Sequence, residues 1–222
     1  MGGNVNINLL FDWEMAFEAI EDGEKGRCSM NINIQIVASS PFHATYVAQK
    51  PYNLYLCSMK RIGIISDTHS TFDEPLRKFL SEVDEIWHAG DIGSVELADE
   101  IAAFKPLRAV YGNIDGGVAR RIYPQFASFR CEGVQVLMTH IGGYPRRYAP
   151  GVAQRIQQLR PKLFIAGHSH ILKVQFDPVY QLLAVNPGAA GLYGFHKVRT
   201  AIRLTIDGED MRDMEVLELP RQ

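Results

Sequence analysis

From residue 59 onward the chain alternates short apolar runs with longer stretches whose apolar positions fall on one helical face. The runs at 61–66, 85–89 and 107–111 predict β-strands, and the stretches near 75–83 and 95–104 predict helices. Strands spaced by helix-length segments build β-α-β units and a largely parallel sheet. The second half changes habit: candidate strands at 126–130 and 134–138 flank Glu132-Gly133, and others fall at 163–166, 174–176 and 182–185. A last pair, 200–206 and 211–217, brackets Asp207-Gly208, a dipeptide that suits the positive φ of a tight hairpin turn. The expected fold class is therefore α/β, with mixed parallel and antiparallel sheets covered by helices.

Residues 1–58 have a different character. Asparagine and apolar residues alternate at 4–9 and 31–36 with the period of half-buried strands, while Trp13, Met15, Phe17 and Ile20 suggest a short helical face ending in the glycines of 23–26. Met59-Lys60-Arg61 followed at once by an apolar run reads like the natural opening of a protein. Two regions are expected: an N-terminal extension, 1–58, and a globular domain, 59–222. The extension either packs on the domain, is poorly ordered, or lies upstream of a natural start at Met59. Nothing in it suggests chemistry, and His43 receives no role.

Composition narrows the partners. With 46% apolar and 22% charged residues in 222, the chain has the make-up of an ordinary globular protein. Its formal charge of -2 shows no excess of positive charge for holding nucleic acid or an anionic membrane surface, so small or locally presented substrates are favoured. Cys28, Cys57 and Cys131 are scattered without a paired spacing, and no run approaches the roughly 18 apolar residues of a membrane span. A cytoplasmic protein is expected, as a homo-oligomer.

Five segments share one feature: each follows an apolar strand candidate and opens with residues able to ligate metal. They are Asp67-Thr68-His69, Gly90-Asp91, Gly112-Asn113-Ile114-Asp115, Thr139-His140 and Gly167-His168-Ser169-His170. Ligands of open α/β sheets bind outside the carboxyl ends of the strands, so these ends would deliver their side chains to one place. Carboxylates can bridge two cations and neutral imidazoles suit first-row ions, whereas an all-oxygen set would indicate magnesium or calcium. The glycines before the ligands fit turns that carry backbone close to a metal. His88, inside a strand, is expected to be a hydrogen-bonded core histidine.

In order and context these segments resemble the calcineurin-like metallophosphoesterases, in particular their small single-domain bacterial and archaeal phosphodiesterases. The resemblance implies a sandwich of two mixed sheets flanked by helices. It further implies that Asp67, His69 and His170 hold one divalent metal, that Asn113, His140 and His168 hold the other, and that Asp91 bridges the two. Manganese is the expected ion, with iron, zinc or nickel as alternatives, and the expected reaction is hydrolysis of a small phosphate ester by hydroxide generated between the metals. Asn113 and Asp115 are the candidate catalytic residues; Asp115 either orients Asn113 or simply forms the turn. One position departs from the family pattern: many members carry a histidine after the asparagine, where it protonates the leaving group, and this chain has Ile114.

Candidate substrate contacts are Arg146 and Arg147, in an aromatic-flanked loop after His140, together with Asn186 and His196, in a turn that lies near the metals in similar proteins. A solvated loop or subunit contact is the alternative for the arginines, and plain loop structure for the other two. Phosphomonoester or nucleotide hydrolysis, and a weakly active metal-binding scaffold like the eukaryotic retromer subunit of the same fold, remain the rival functions.

Overall fold

The computed structural model describes the backbone of residues 17–21, 28–32 and 52–55, and residues 59–221 in full. The chain divides into two compact units, Met1–Cys57 and Ser58–Gln222. In the first, strands β1 (Phe17–Glu21), β2 (Cys28–Ile32) and β3 (Tyr52–Tyr55) form an antiparallel sheet in that order. The helical face expected at 13–20 is thus overturned where it is described, since Phe17–Glu21 pairs with Cys28–Ile32. A helix of two turns bears the whole cost of nucleation for few hydrogen bonds, and a hairpin partner nearby wins. The strand expected at 31–36 runs instead from Cys28 to Ile32, and its remainder, with the 4–9 alternation, Trp13, Met15 and His43, lies outside the described residues.

The second unit is built on two five-stranded sheets. Its elements in chain order are β4 (Lys60–Ile65), α1 (Glu74–Leu80), β5 (Glu85–His88), α2 (Val95–Phe104), β6 (Leu107–Ala109), α3 (Gly117–Ile122), β7 (Phe126–Cys131), β8 (Val134–Thr139), β9 (Gly143–Tyr144), β10 (Arg147–Tyr148), α4 (Val152–Leu159), β11 (Leu163–Ala166), β12 (Leu172–Asp177), β13 (Leu182–Pro187), β14 (Val198–Asp207) and β15 (Asp210–Pro220). One sheet has the order β15-β14-β4-β5-β6 and the other β12-β13-β11-β8-β7; β9 and β10 make a small separate hairpin. Strands β4, β5 and β6 run parallel, as do β8, β11 and β13, while β7, β12, β14 and β15 pair antiparallel.

The apolar runs are continuous because the central strands are buried on both faces. In β4, Ile62 and Ile64 join Trp87, Val136, Met138, Ile165, Ile202 and Leu204 in the core between the sheets. Ile65, next along, turns the other way with Ile86 and Ala109 onto Leu76 and Leu80 of α1 and Leu97 and Ile101 of α2. Across the molecule Leu137, Phe164 and Ala184 back onto Val152 and Ile156 of α4. The layers are helix, sheet, sheet, helix, as expected. Two helices escaped the sequence reading. Helix α3 buries only Ala119, so its pattern has no stripe, and α4 ends at Arg160 in a left-handed conformation (φ 46°) without the usual glycine signal.

A half-buried ion pair ties β14 to α1. Arg199 of β14 sends its guanidinium to both oxygens of Asp73, at 2.7 and 2.9 Å, and to the Ala190 carbonyl at 2.7 Å. Asp73 is the residue that precedes α1. The Arg199 guanidinium beside it holds the Asp73 carboxyl below its ordinary pKa.

Candidate metal centre

The parallel strands β4, β5, β6, β8 and β11 all end at one edge of the sandwich, and the five sequence segments follow those ends. Backbone bonds carry the β4 and β5 pairing past the strands: Asp67 N–H reaches the Gly90 carbonyl at 2.9 Å and His69 N–H the Asp91 carbonyl at 3.1 Å. The second sheet is stitched to the first by His168 N–H, which donates to Asp67 Oδ2 at 3.1 Å. Two ligand groups result, Asp67 with His69 and His170, and Asp91 with His140 and His168; within each, one donor atom per residue lies within 4.8 Å of the others. The groups abut, since His140 Nε2 is 4.0 Å from Asp67 Oδ1.

Proton positions follow from the partners. A carbonyl only accepts, so His140 Nδ1, 2.8 Å from the Ala89 oxygen, carries hydrogen and leaves Nε2 to face Asn113 Oδ1 at 3.0 Å and Asp91 Oδ1 at 3.3 Å. Likewise His196 Nε2 donates to the Gly191 carbonyl at 3.0 Å, its Nδ1 accepts from His170 Nδ1 at 3.1 Å, and His170 Nε2 faces Asp67 Oδ1 at 3.0 Å. Burial, together with the cations around it, lowers the pKa of His196, in keeping with that neutral form. Asp67 Oδ1 and His69 Nε2 are buried and have no hydrogen-bond partner among the described residues. Lone pairs therefore converge on lone pairs, an arrangement that a cation relieves. Burial lowers the pKa of His140, but the hydrogen bond to Asp91 and the charges of Asp67 and Asp91 outweigh it and leave the imidazole raised.

The backbone at the site is unusual. Asp67, His69, Asp91, His168 and His170 are five of the eleven non-glycine residues with positive φ among the described residues. Such conformations cost about 1–3 kcal/mol each and persist only where surrounding structure enforces them. The enforcement is visible at Gly112, where a Cβ would collide with the Asp91 carboxylate.

Three neighbours hold this geometry without facing a ligand. His88 is wholly buried; its Nδ1 accepts from Gly90 N–H at 3.1 Å, so Nε2 carries the proton and donates to Thr68 Oγ1 at 2.8 Å, while Thr68 donates to the Ile92 carbonyl at 3.0 Å. Burial drives the His88 pKa down to about 4. Asp115 accepts from the N–H groups of Ile92, Gly93 and Gly112 at 3.2, 2.9 and 2.7 Å. Its carboxylate clamps the Asp91 loop to the Asn113 loop, which suits the orienting reading of Asp115. Asn186, a candidate substrate contact, is engaged in the neighbouring loop. Its amide donates to the Gly167 carbonyl and Ser169 Oγ and accepts from Gly188 N–H, fixing the loop that bears His168 and His170. His196 orients His170. Arg146 is exposed at the tip between β9 and β10, and Arg147 lines a cavity beside His168.

A model of the calcineurin-like phosphoesterase superfamily domain matches residues 59–209. The chain belongs to that superfamily. A probable metallophosphoesterase of Methanothermobacter thermautotrophicus is 28% identical to this superfamily member over 161 residues, 70% of this chain and 91% of the relative. Among solved structures it is similar in fold to vacuolar protein sorting 29 from Cryptosporidium parvum, at TM-score 0.58 and 15% identity over 73% of this chain and 98% of that one. It is also similar to a novel archaeal phosphodiesterase, at TM-score 0.56 and 22% identity over 71% and 99%. Metal-dependent phosphoester hydrolysis is the chemistry of the superfamily, and the two ligand groups suit divalent metal. No described helix is long and apolar enough to cross a membrane.

The sequence reading missed Thr68 as the partner of His88, and it missed Lys173 and Gln175 beside the cavity. Their signal was there, in the alternation of polar and apolar residues along β12 that puts both on one face.

Proposed function

We propose that this superfamily member is a phosphodiesterase acting at a dinuclear centre on small or locally presented esters. The observation that carries the reading is the meeting of acceptor atoms from Asp67, Asp91, Asn113, His140 and His170 in one space, with Asp67 Oδ1 buried and unpartnered. Asp67, His69 and His170 would hold one cation and Asn113, His140 and His168 the other, with Asp91 shared. Bound there, two cations supply Lewis-acid polarisation of the phosphoryl oxygens and a nucleophile drawn from water at neutral pH. The mixed nitrogen and oxygen set favours manganese, iron, zinc or nickel over calcium.

The chain's own residues keep the donors in place. Ala89 and His196 fix which nitrogen of His140 and His170 faces inward, and Asp115 holds the Asn113 and Asp91 loops together. In the reaction the water oxygen forms a new bond to phosphorus, the bond to the alcohol oxygen breaks, and the departing alcohol takes a proton. Ile114, 48% exposed beside the centre, has no proton to give. The proton then comes from solvent, and esters of acidic alcohols are the best substrates. The fold likeness to an archaeal phosphodiesterase supports the diester over the monoester. The free, half-buried thiol of Cys131 agrees with a cytoplasmic setting.

The test is hydrolysis of bis(p-nitrophenyl) phosphate by the Mn(II)-loaded chain beside its Asp91→Ala variant. Turnover in the first and its loss in the second are expected, and equal rates would sink the proposal. A scaffold reading draws on the likeness to vacuolar protein sorting 29 and on Ile114; it is favoured instead if two metals bind per chain and no ester is turned over.

A further inference from the structure

Beside the metal-ligand loop lies a cavity of about 450 Å³, within the range of small-ligand sites. His168 stands at one side of it, and Phe164, Tyr144 and other mainly apolar groups line it. Phe164 is buried on the outer face of the second sheet and packs edge-on against Tyr148, with ring centroids 5.6 Å apart. The polar groups in the lining are few and distinctive. Lys173 and Gln175 project from the same face of β12, two residues apart, and Lys173 Nζ sits 3.8 Å from the centre of the Tyr144 ring. Arg147 adds a second cation, and no aspartate or glutamate lines the cavity. The Gln175 amide and the Arg147 guanidinium have no hydrogen-bond partner among the described residues.

This pattern constrains the occupant. The exposed Tyr144 ring suits a flat ring, and the Gln175 amide offers a donor and an acceptor side by side, which the edge of a nucleobase matches and an alkyl chain does not. Two unopposed cations favour a ligand with negative charge. His168 lines the same cavity, so a ligand seated there lies beside a metal-ligand residue. We propose that the cavity holds the nucleoside arm of the phosphodiester, so that the substrate is a small nucleotide ester whose phosphorus lies at the metal centre. The role as a substrate pocket rests on the catalytic reading above; the nucleotide site itself stands or falls on binding.

Binding is measured first, by calorimetry of thymidine 5′-monophosphate with the full chain after chelation. Two variants are compared with it: Gln175→Trp, which fills the cavity, and Tyr144→Ala, which removes the stacking wall. Stacking on one aromatic ring contributes about tenfold in affinity, so Tyr144→Ala is expected to weaken binding by about that factor, and Gln175→Trp, which occupies the space itself, by at least as much. No binding to the parent chain, or affinity unchanged in both variants, would overturn the proposal. The Mn(II)-loaded chain is then given thymidine 5′-(p-nitrophenyl phosphate) and methyl p-nitrophenyl phosphate, which share a leaving group. The nucleoside ester should show a KM lower by about tenfold, and Gln175→Trp should erase that preference. Hydrolysis of both esters with equal KM overturns the pocket alone. Nucleotide binding that both variants weaken, with neither ester hydrolysed, sustains the site and removes the catalytic reading.

Discussion

His88 makes the fold sensitive to acid. It is wholly buried, its two ring nitrogens are committed to Gly90 N–H and Thr68 Oγ1, and burial sets its pKa near 4 against the ordinary 6.5. The folded chain therefore keeps the ring neutral while the unfolded chain takes up a proton as the pH falls below 6.5. Stability is full above 6.5, declines as the pH drops and stops declining near 4, where the folded ring also protonates. Integrated over that gap, the loss is at most about 3.4 kcal/mol, and about 2 kcal/mol of it falls between roughly pH 7.5 and pH 5. His88→Asn removes the titration and keeps an acceptor for Gly90. Urea unfolding of both proteins in chelator, at about pH 7.5 and about pH 5, isolates the effect from metal release and from the other histidines. The wild type should lose about 2 kcal/mol more than the variant across that interval. Equal losses would refute the account of His88 as a neutral buried strut.

Gly112→Ala should strip metal from a chain that retains every ligand, because the new Cβ collides with Asp91; metal analysis after dialysis should show the loss, with an overpacking cost of about 1–3 kcal/mol in thermal melts. Asp73→Ala leaves the Arg199 guanidinium, only 5% exposed, without its counter-charge. A loss of about 2–3 kcal/mol in urea unfolding is expected, below the full cost of a broken buried pair because Asp73 is partly in water, and Asp73→Ala with Arg199→Met should recover part of it. Saturating Mn(II) should raise the melting temperature of the wild type, by the equivalent of about 2.7 kcal/mol per site at a hundredfold excess over Kd, and should raise that of Asp91→Ala far less.

Much of the site was legible because each ligand sits at a strand end, and strand ends announce themselves as an apolar run broken by glycine or aspartate. The strands 163–166 and 85–89 and the helix 95–104 were found for the same reason: burial on both faces, or a clear stripe on one, leaves a mark in the residues. Helix α3 left none, since it buries a single alanine. The short helix expected around Phe17 and Ile20 failed because spacing within a window says nothing of a pairing partner. Asn186 and His196 were placed near the metal ligands, and only the structure shows that their polar atoms are already engaged there. A polar side chain next to a site serves the substrate or the scaffold according to which atoms already occupy its donors and acceptors.

The amino-acid sequence by itself determined the α/β class, the order of the strands that carry function, and the set of side chains able to bind metal, because these depend on local periodicity and residue chemistry. Tertiary structure alone decided which nitrogen of His140 and His170 faces inward, and which groups the buried His88 ring and the Asp115 carboxylate engage. It also made the cavity, whose walls come from segments distant in the chain. Each of these depends on distances between parts of the chain that no local pattern encodes, and on a backbone held in left-handed conformations that only the packed surroundings enforce.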